Sequence, residues 1–163
     1  MASVAVAGEE IARFEANLDR AIGEVFSTMM GVPCALAEGS GGGDPDRGKI
    51  SAVVGLAGAL SGSLVLHSGS AGAMRIAERM TGMAPDGVDA LVRDAIGEVG
   101  NMVAGAWKGF DPKLASGCLL STPTVVAGDS YELFSQRAPI RIERRYRFED
   151  FGLSVTIFCE FAA

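Results

Sequence analysis

Asp94, Glu98, Asn101 and Gly105 recur at i, i+4, i+7 and i+11 in the stretch Arg93 to Gly105, RDAIGEVGNMVAG. On a helix, that spacing stacks them along one stripe. Ala95, Val99, Met102, Val103 and Ala106 cover the adjoining arc and are expected to face a core. A carboxamide both donates and accepts hydrogen bonds, so Asn101 can hold a water in one orientation, while Glu98, one turn away, can grip a cation on a partner. Such a pair orients a nucleophile without creating one. The competing reading is a solvated helix stripe. Asparagine is a poor helix former whose amide competes for backbone bonds, so its mid-helix position calls for a reason.

Other chemical patterns are weaker. Gly43 to Lys49, GDPDRGK, fits the spacing of a phosphate-binding loop up to its lysine. Ile50 then stands where Ser or Thr should meet magnesium, and Asp44 and Asp46 would repel phosphate, so a surface loop is the better account. His67 is the only histidine and lies beside Ser68 and Ser70, but no nucleophile-elbow pattern surrounds these serines, which favours a structural role. Arg137, Arg141, Arg144, Arg145 and Arg147 form a basic run that reads as a solvated strand face paired with nearby acids. The carboxylates show no recognised ligand spacing, and no metal or cofactor of its own is expected.

The elements that must position Glu98 and Asn101 follow from periodicity. Ile11, Phe14, Leu18, Ile22, Val25, Phe26 and Met29 predict a long first helix from Glu9 to Met30, stopped by Gly31 and Pro33. Pro33 to Glu38 reads as a short strand, and Lys49 to Leu60 with Gly62 to His67 as a hairpin. Ser68 or Ser70 can cap a second helix that runs through Met80 and ends at Thr81-Gly82. Pro85 and Asp86 open a third, Val88 to about Lys108, which Phe110-Asp111-Pro112 terminates. Cys118 to Ala127, Ala138 to Phe148 and Leu153 to Phe161 are strand-like. The order α-β-β-β-α-α-β-β-β implies an α+β fold with helices on one face of a largely antiparallel sheet.

An internal repeat refines this picture. AIGEV at Ala21 to Val25 recurs identically at Ala95 to Val99, and Gly31 aligns with Gly105. Each copy is a helix followed by strands, which implies two related α-β halves about a pseudo-two-fold axis. In that register Glu24 matches Glu98, but Ser27 replaces Asn101.

At 163 residues the chain fits a single domain, residues 1–163, with residues 1–8 expected to be loose. A formal net charge of −6 argues against a nucleic-acid partner, which would need clustered Lys and Arg. Cys34, Cys118 and Cys159 are odd in number and sit in apolar stretches, which suits buried thiols and a cytoplasmic setting. No stretch approaches the roughly 18 apolar residues of a membrane span, and MASVAVAGEE lacks the basic start of a secretion signal.

With these residues in view, Asp94, Glu98, Asn101 and Gly105 resemble the signature of the CheC, CheX and FliY chemotaxis phosphatases. EVFSTMMG at Glu24 to Gly31, ISAVVGLAGALSGSLVLHS at Ile50 to Ser68 and LSTPTVVAG at Leu120 to Gly128 are similar too. CheC-type members tend to carry the Glu and Asn pair on both related helices, and CheX-type members on one, so Ser27 places the chain with CheX. The resemblance implies dephosphorylation of the phospho-aspartate of a CheY-like response regulator. It assigns Asn101 to the attacking water and Glu98 to the regulator's active-site lysine, with Mg2+ supplied by the regulator. It also implies a homodimer whose strands join across the interface. Two rivals are a non-catalytic adaptor using the same helix and a CheC-like or FliY-like flagellar-switch component.

Overall fold

The computed structural model describes residues 2–38, 49–135 and 138–162. The elements in order are α1 (Ala2–Met30), β1 (Ala35–Leu36), β2 (Lys49–Gly58), β3 (Leu60–Gly69), α2 (Ser70–Thr81), α3 (Ala90–Gly109), α4 (Pro112–Gly117), β4 (Cys118–Leu120), β5 (Thr124–Gly128), β6 (Ile140–Phe148) and β7 (Phe151–Phe161). The strands form one sheet in the order β1-β6-β7-β3-β2-β4, with β5 also on β2, and every pairing is antiparallel.

Alternation along the strands assigns the two faces. Ile50, Ala52, Val54 and Leu56 of β2 are buried, as are Leu64 and Leu66 of β3 and Leu153, Val155 and Ile157 of β7. Residues in register on this face touch all three long helices. Ala52 lies beside Gly100 of α3, Ser68 beside Gly72 of α2, and Arg144 and Tyr146 both reach Asp19 of α1. The helices therefore share one face, and the expected α+β architecture holds.

The two halves are visible in the sheet order. Exchanging β1 with β4 and β5, β2 with β6, and β3 with β7 reverses the order and reproduces it. Each half lends its edge strand to the other: β1 pairs with β6, while β4 and β5 pair with β2. Pro112–Leu120, holding α4 and β4, has no counterpart in the first half.

Several local expectations are corrected. α1 begins at Ala2, ahead of the expected Glu9. Neither Ser68 nor Ser70 caps α2: Gly69 is its N-cap with no side-chain bond, and the buried Ser68 hydroxyl donates to the Gly69 carbonyl. α3 starts behind Asp89, whose Oδ1 accepts from the Val92 amide at 3.1 Å, rather than at Pro85-Asp86. Phe110-Asp111-Pro112 ends α3 as expected but also starts α4, because Asp111 caps it and Pro112 occupies its first turn. Asp111 is 1% exposed and also accepts from Arg13 Nε at 2.9 Å, tying α4 to α1. The single strand expected from Cys118 to Ala127 breaks into β4 and β5 around Pro123, which has no amide proton for the ladder.

The basic run divides by strand parity. Arg141 and Arg145 are exposed and pair with Glu143, in keeping with a solvated face. Arg144 turns inward, where its guanidinium holds Asp19 through bonds of 3.1 and 2.6 Å. Tyr146 donates to the same carboxylate at 2.6 Å, and burial followed by that bond raises its pKa. Arg137 and Gly43 to Gly48 lie outside the described residues.

His67 has a structural setting on the opposite sheet face. Ser51 Oγ, fully buried, lies 2.8 Å from His67 Nδ1 and 2.8 Å from the Tyr131 hydroxyl, which donates to the Val126 carbonyl at 3.2 Å. Burial, and then the charge of Lys49, lowers the imidazole pKa. Above about pH 6.5 the ring is neutral in the folded and the unfolded chain, and this contribution to stability is complete. Below that pH the unfolded chain takes up the proton first, so stability falls as acid is added, down to the folded-state pKa. The melting temperature of wild type should therefore drop more steeply as the pH falls below about 6.5 than that of His67→Gln. Parallel curves for the two proteins would remove His67 as the cause.

Candidate functional site

α3 is set in rotation by its apolar arc. Val92, Ile96, Val99, Val103 and Trp107 are fully buried, and Trp107 Nε1 donates to the Phe14 carbonyl at 3.1 Å. The opposite arc must then face outward. Asp94 and Glu98 are exposed, and Asn101 is half-buried. Among the described residues, none of these three side chains takes part in a hydrogen bond or ion pair. The two carboxylates one turn apart repel each other, a small cost on a helix that no ion pair offsets among the described residues.

The stripe forms one wall of an open groove of about 640 Å³. Arg93, Asp94, Gly97, Glu98 and Asn101 line one side, with Leu120, Ser121, Thr122, Pro123 and Val125 opposite. That second wall is the join between β4 and β5, and β2 holds it: Ser121 N donates to the Gly55 carbonyl at 2.9 Å, and Gly55 N to Ser121 Oγ at 2.7 Å. The sequence placed Glu98 and Asn101 on one face, and the structure brings them to one cleft. It did not reveal the facing wall, for which Pro123 inside LSTPTVVAG was the available signal.

The glycines of α3 set how close it lies to the sheet. Gly97 and Gly100 are both buried. A Cβ on Gly100 would sit 2.8 Å from Ala52 Cβ, and one on Gly97 would sit 3.3 Å from Val125 Cγ2. Their role is to let α3 lie close on β2 and β5, which sets the width of the groove. The matching position on α1, Gly23, lies 4.0 Å by the same measure from the Cys34 carbonyl. Gly105 and Gly109 are open, with nothing within 4 Å of either.

The corresponding stripe on α1 has a different electrostatic state. Glu24 pairs with Arg20 at 3.3 Å, and the Arg20 guanidinium lies 3.9 Å from the Phe110 ring centroid. Ser27 is exposed. His67, Ser68 and Ser70 do not line the groove. Among the described residues no three His, Cys, Asp or Glu side chains gather as metal ligands, and no helix is long and apolar enough to cross a membrane.

Residues 50–143, more than half of the chain, match the family model described as chemotaxis phosphatase CheX. The chain belongs to the CheX family. A Thermotoga maritima relative, named CheY-P phosphatase CheX, is 32% identical over 110 residues, covering 64% of this chain and 69% of the relative. In fold the chain is similar to the crystal structure of the chemotaxis protein CheX from Desulfovibrio desulfuricans, with TM-score 0.75, 23% identity, and 90% and 99% of the two chains covered. It is also similar to the CheX of a Borrelia burgdorferi complex containing CheX, CheY, BeF3 and Mg2+, with TM-score 0.68, 20% identity, and 90% and 97% covered. The match to the CheX family model includes the whole of α3 and the facing wall of the groove.

Proposed function

We propose that this CheX-family chain hydrolyses the phospho-aspartate of a CheY-like response regulator, with Asn101 orienting the attacking water and Glu98 gripping the regulator's lysine. The observation that carries the reading is the pair itself. Glu98 and Asn101 face one groove and have no partner among the described residues, so their hydrogen-bonding capacity is free for an incoming surface. In the reaction the water oxygen bonds to phosphorus as the bond from phosphorus to the aspartyl oxygen breaks. The aspartate leaves as a carboxylate, and both water protons stay with the product, dihydrogen phosphate. In-line attack of this kind gains chiefly from positioning and from stabilisation of transferred charge. Asn101 supplies the first, and the regulator's lysine and Mg2+ supply the second. The relatives named for CheY and CheY-P support this choice of partner.

Phosphate release from a phosphorylated CheY-like regulator, with and without the protein, tests the activity. Binding to the regulator with no acceleration would favour the adaptor reading. Glu98→Gln keeps the size of the side chain and removes its charge. It should raise KM for the phosphorylated regulator about tenfold and leave kcat within about twofold, since a docking charge acts mainly on association and complex lifetime. A fall in kcat at unchanged KM would remove Glu98 from docking.

A further inference from the structure

The AIGEV repeat sets Arg20, Glu24 and Ser27 of α1 in the positions held by Asp94, Glu98 and Asn101 of α3. The scaffold around the two stripes repeats as well. Ala21, Ile22 and Val25 are buried, as are Ala95, Ile96 and Val99. Gly23 approaches the chain at Cys34 as Gly97 approaches it at Pro123 and Val125. Pro33 leads into β1 as Pro123 leads into β5, and these strands occupy equivalent places in the symmetric sheet order.

What differs is charge. Asp94 and Glu98 present two unpaired negative groups, whereas Glu24 is neutralised by Arg20, whose guanidinium is also seated on Phe110. We propose that α1 carries a second copy of the regulator-docking face and that Arg20 keeps it closed. The inference rests on the function proposed above. A regulator that offers a lysine to Glu98 meets at α1 a fixed guanidinium in the place of Asp94, and the two cations repel. Ser27 completes the closure chemically. Its hydroxyl is shorter than a carboxamide and offers one donor, so it cannot hold water as Asn101 would.

The test is a gain of binding and of turnover. Arg20 and Ser27 are both exposed, so the Arg20→Asp, Ser27→Asn double variant should fold, with a melting temperature a few degrees below wild type for the lost Glu24 pair and Phe110 contact. In calorimetric titration with a beryllofluoride-activated CheY-like regulator, wild type should bind one regulator per chain and the double variant two. Adding Glu24→Gln to the double variant should return it to one. Placed on Asn101→Ala, the same two substitutions should restore about tenfold acceleration of phosphate release over Asn101→Ala alone. A stoichiometry that stays at one, or a triple variant no faster than Asn101→Ala, overturns the proposal. Wild type that binds no regulator at all would instead defeat the function proposed above.

Discussion

Asn101→Ala should lower the acceleration of regulator dephosphorylation by about 100-fold or more, because a water released from a fixed orientation forfeits the gain of positioning. The change leaves the scaffold alone. Asn101 is half-buried and makes no hydrogen bond among the described residues, and alanine is the better helix former by about 0.5 kcal/mol. The melting temperature should therefore stay level or rise slightly. Binding of the beryllofluoride-activated regulator should survive, since Glu98 remains. Measured phosphate release that matches wild type would refute the role given to Asn101, whatever the affinity. Asn101→Asp is a sharper variant of the same experiment. It keeps the shape but exchanges the amide donor for a negative charge, so it should fail in turnover as fully as alanine.

Trp107→Ala should have the largest effect on stability. The indole is fully buried, stands edge-on to Phe14 with ring centroids 5.3 Å apart, and donates from Nε1 to the Phe14 carbonyl. Truncation leaves a cavity between α1 and α3 and removes the indole bond, while the Phe14 carbonyl keeps its place in the ladder of α1, at a cost of about 3–5 kcal/mol. In a chain of this size that lowers the melting temperature by about 10 °C. Trp107→Phe should recover most of the packing but not the hydrogen bond, and should fall between the two. Circular dichroism is the suitable probe, because Trp107 is the only tryptophan and its fluorescence is lost with it. A shift of only a degree or two would show that this end of the helix pair contributes little.

The site was legible in the sequence to the extent that it is local. The Asp94, Glu98, Asn101 stripe is a matter of helical spacing, and the burial of Val99 and Val103 follows from the same periodicity. AIGEV disclosed the duplication because a repeat needs no knowledge of contacts. Features that depend on the opposing surface were missed or misjudged. The need for glycine at Gly100 comes from Ala52 on a distant strand, which no local pattern shows. Arg144 looked like one more surface cation, since its inward turn is fixed by the register of β6 on β7 and by Asp19 on a distant helix. Ser121 to Pro123 became a wall only once β4 and β5 were both seated on β2. Asp111-Pro112 was a missed local signal. It was read as a stop, when a capping aspartate followed by proline is equally a start.

The exchange of edge strands between the halves has a bearing on how the chain comes apart. Neither repeat encloses its own sheet: β6 needs β1 from the first, and β2 needs β4 and β5 from the second. Losing either repeat strips an edge from the other, so no half-melted species retains an intact sheet. Heating is expected to give one cooperative transition with equal calorimetric and van't Hoff enthalpies, and two resolved transitions would contradict it. Interleaving of this kind makes the duplicated halves a single folding unit, and it lets one helix shed its carboxamide and charge while its strands remain indispensable to the other.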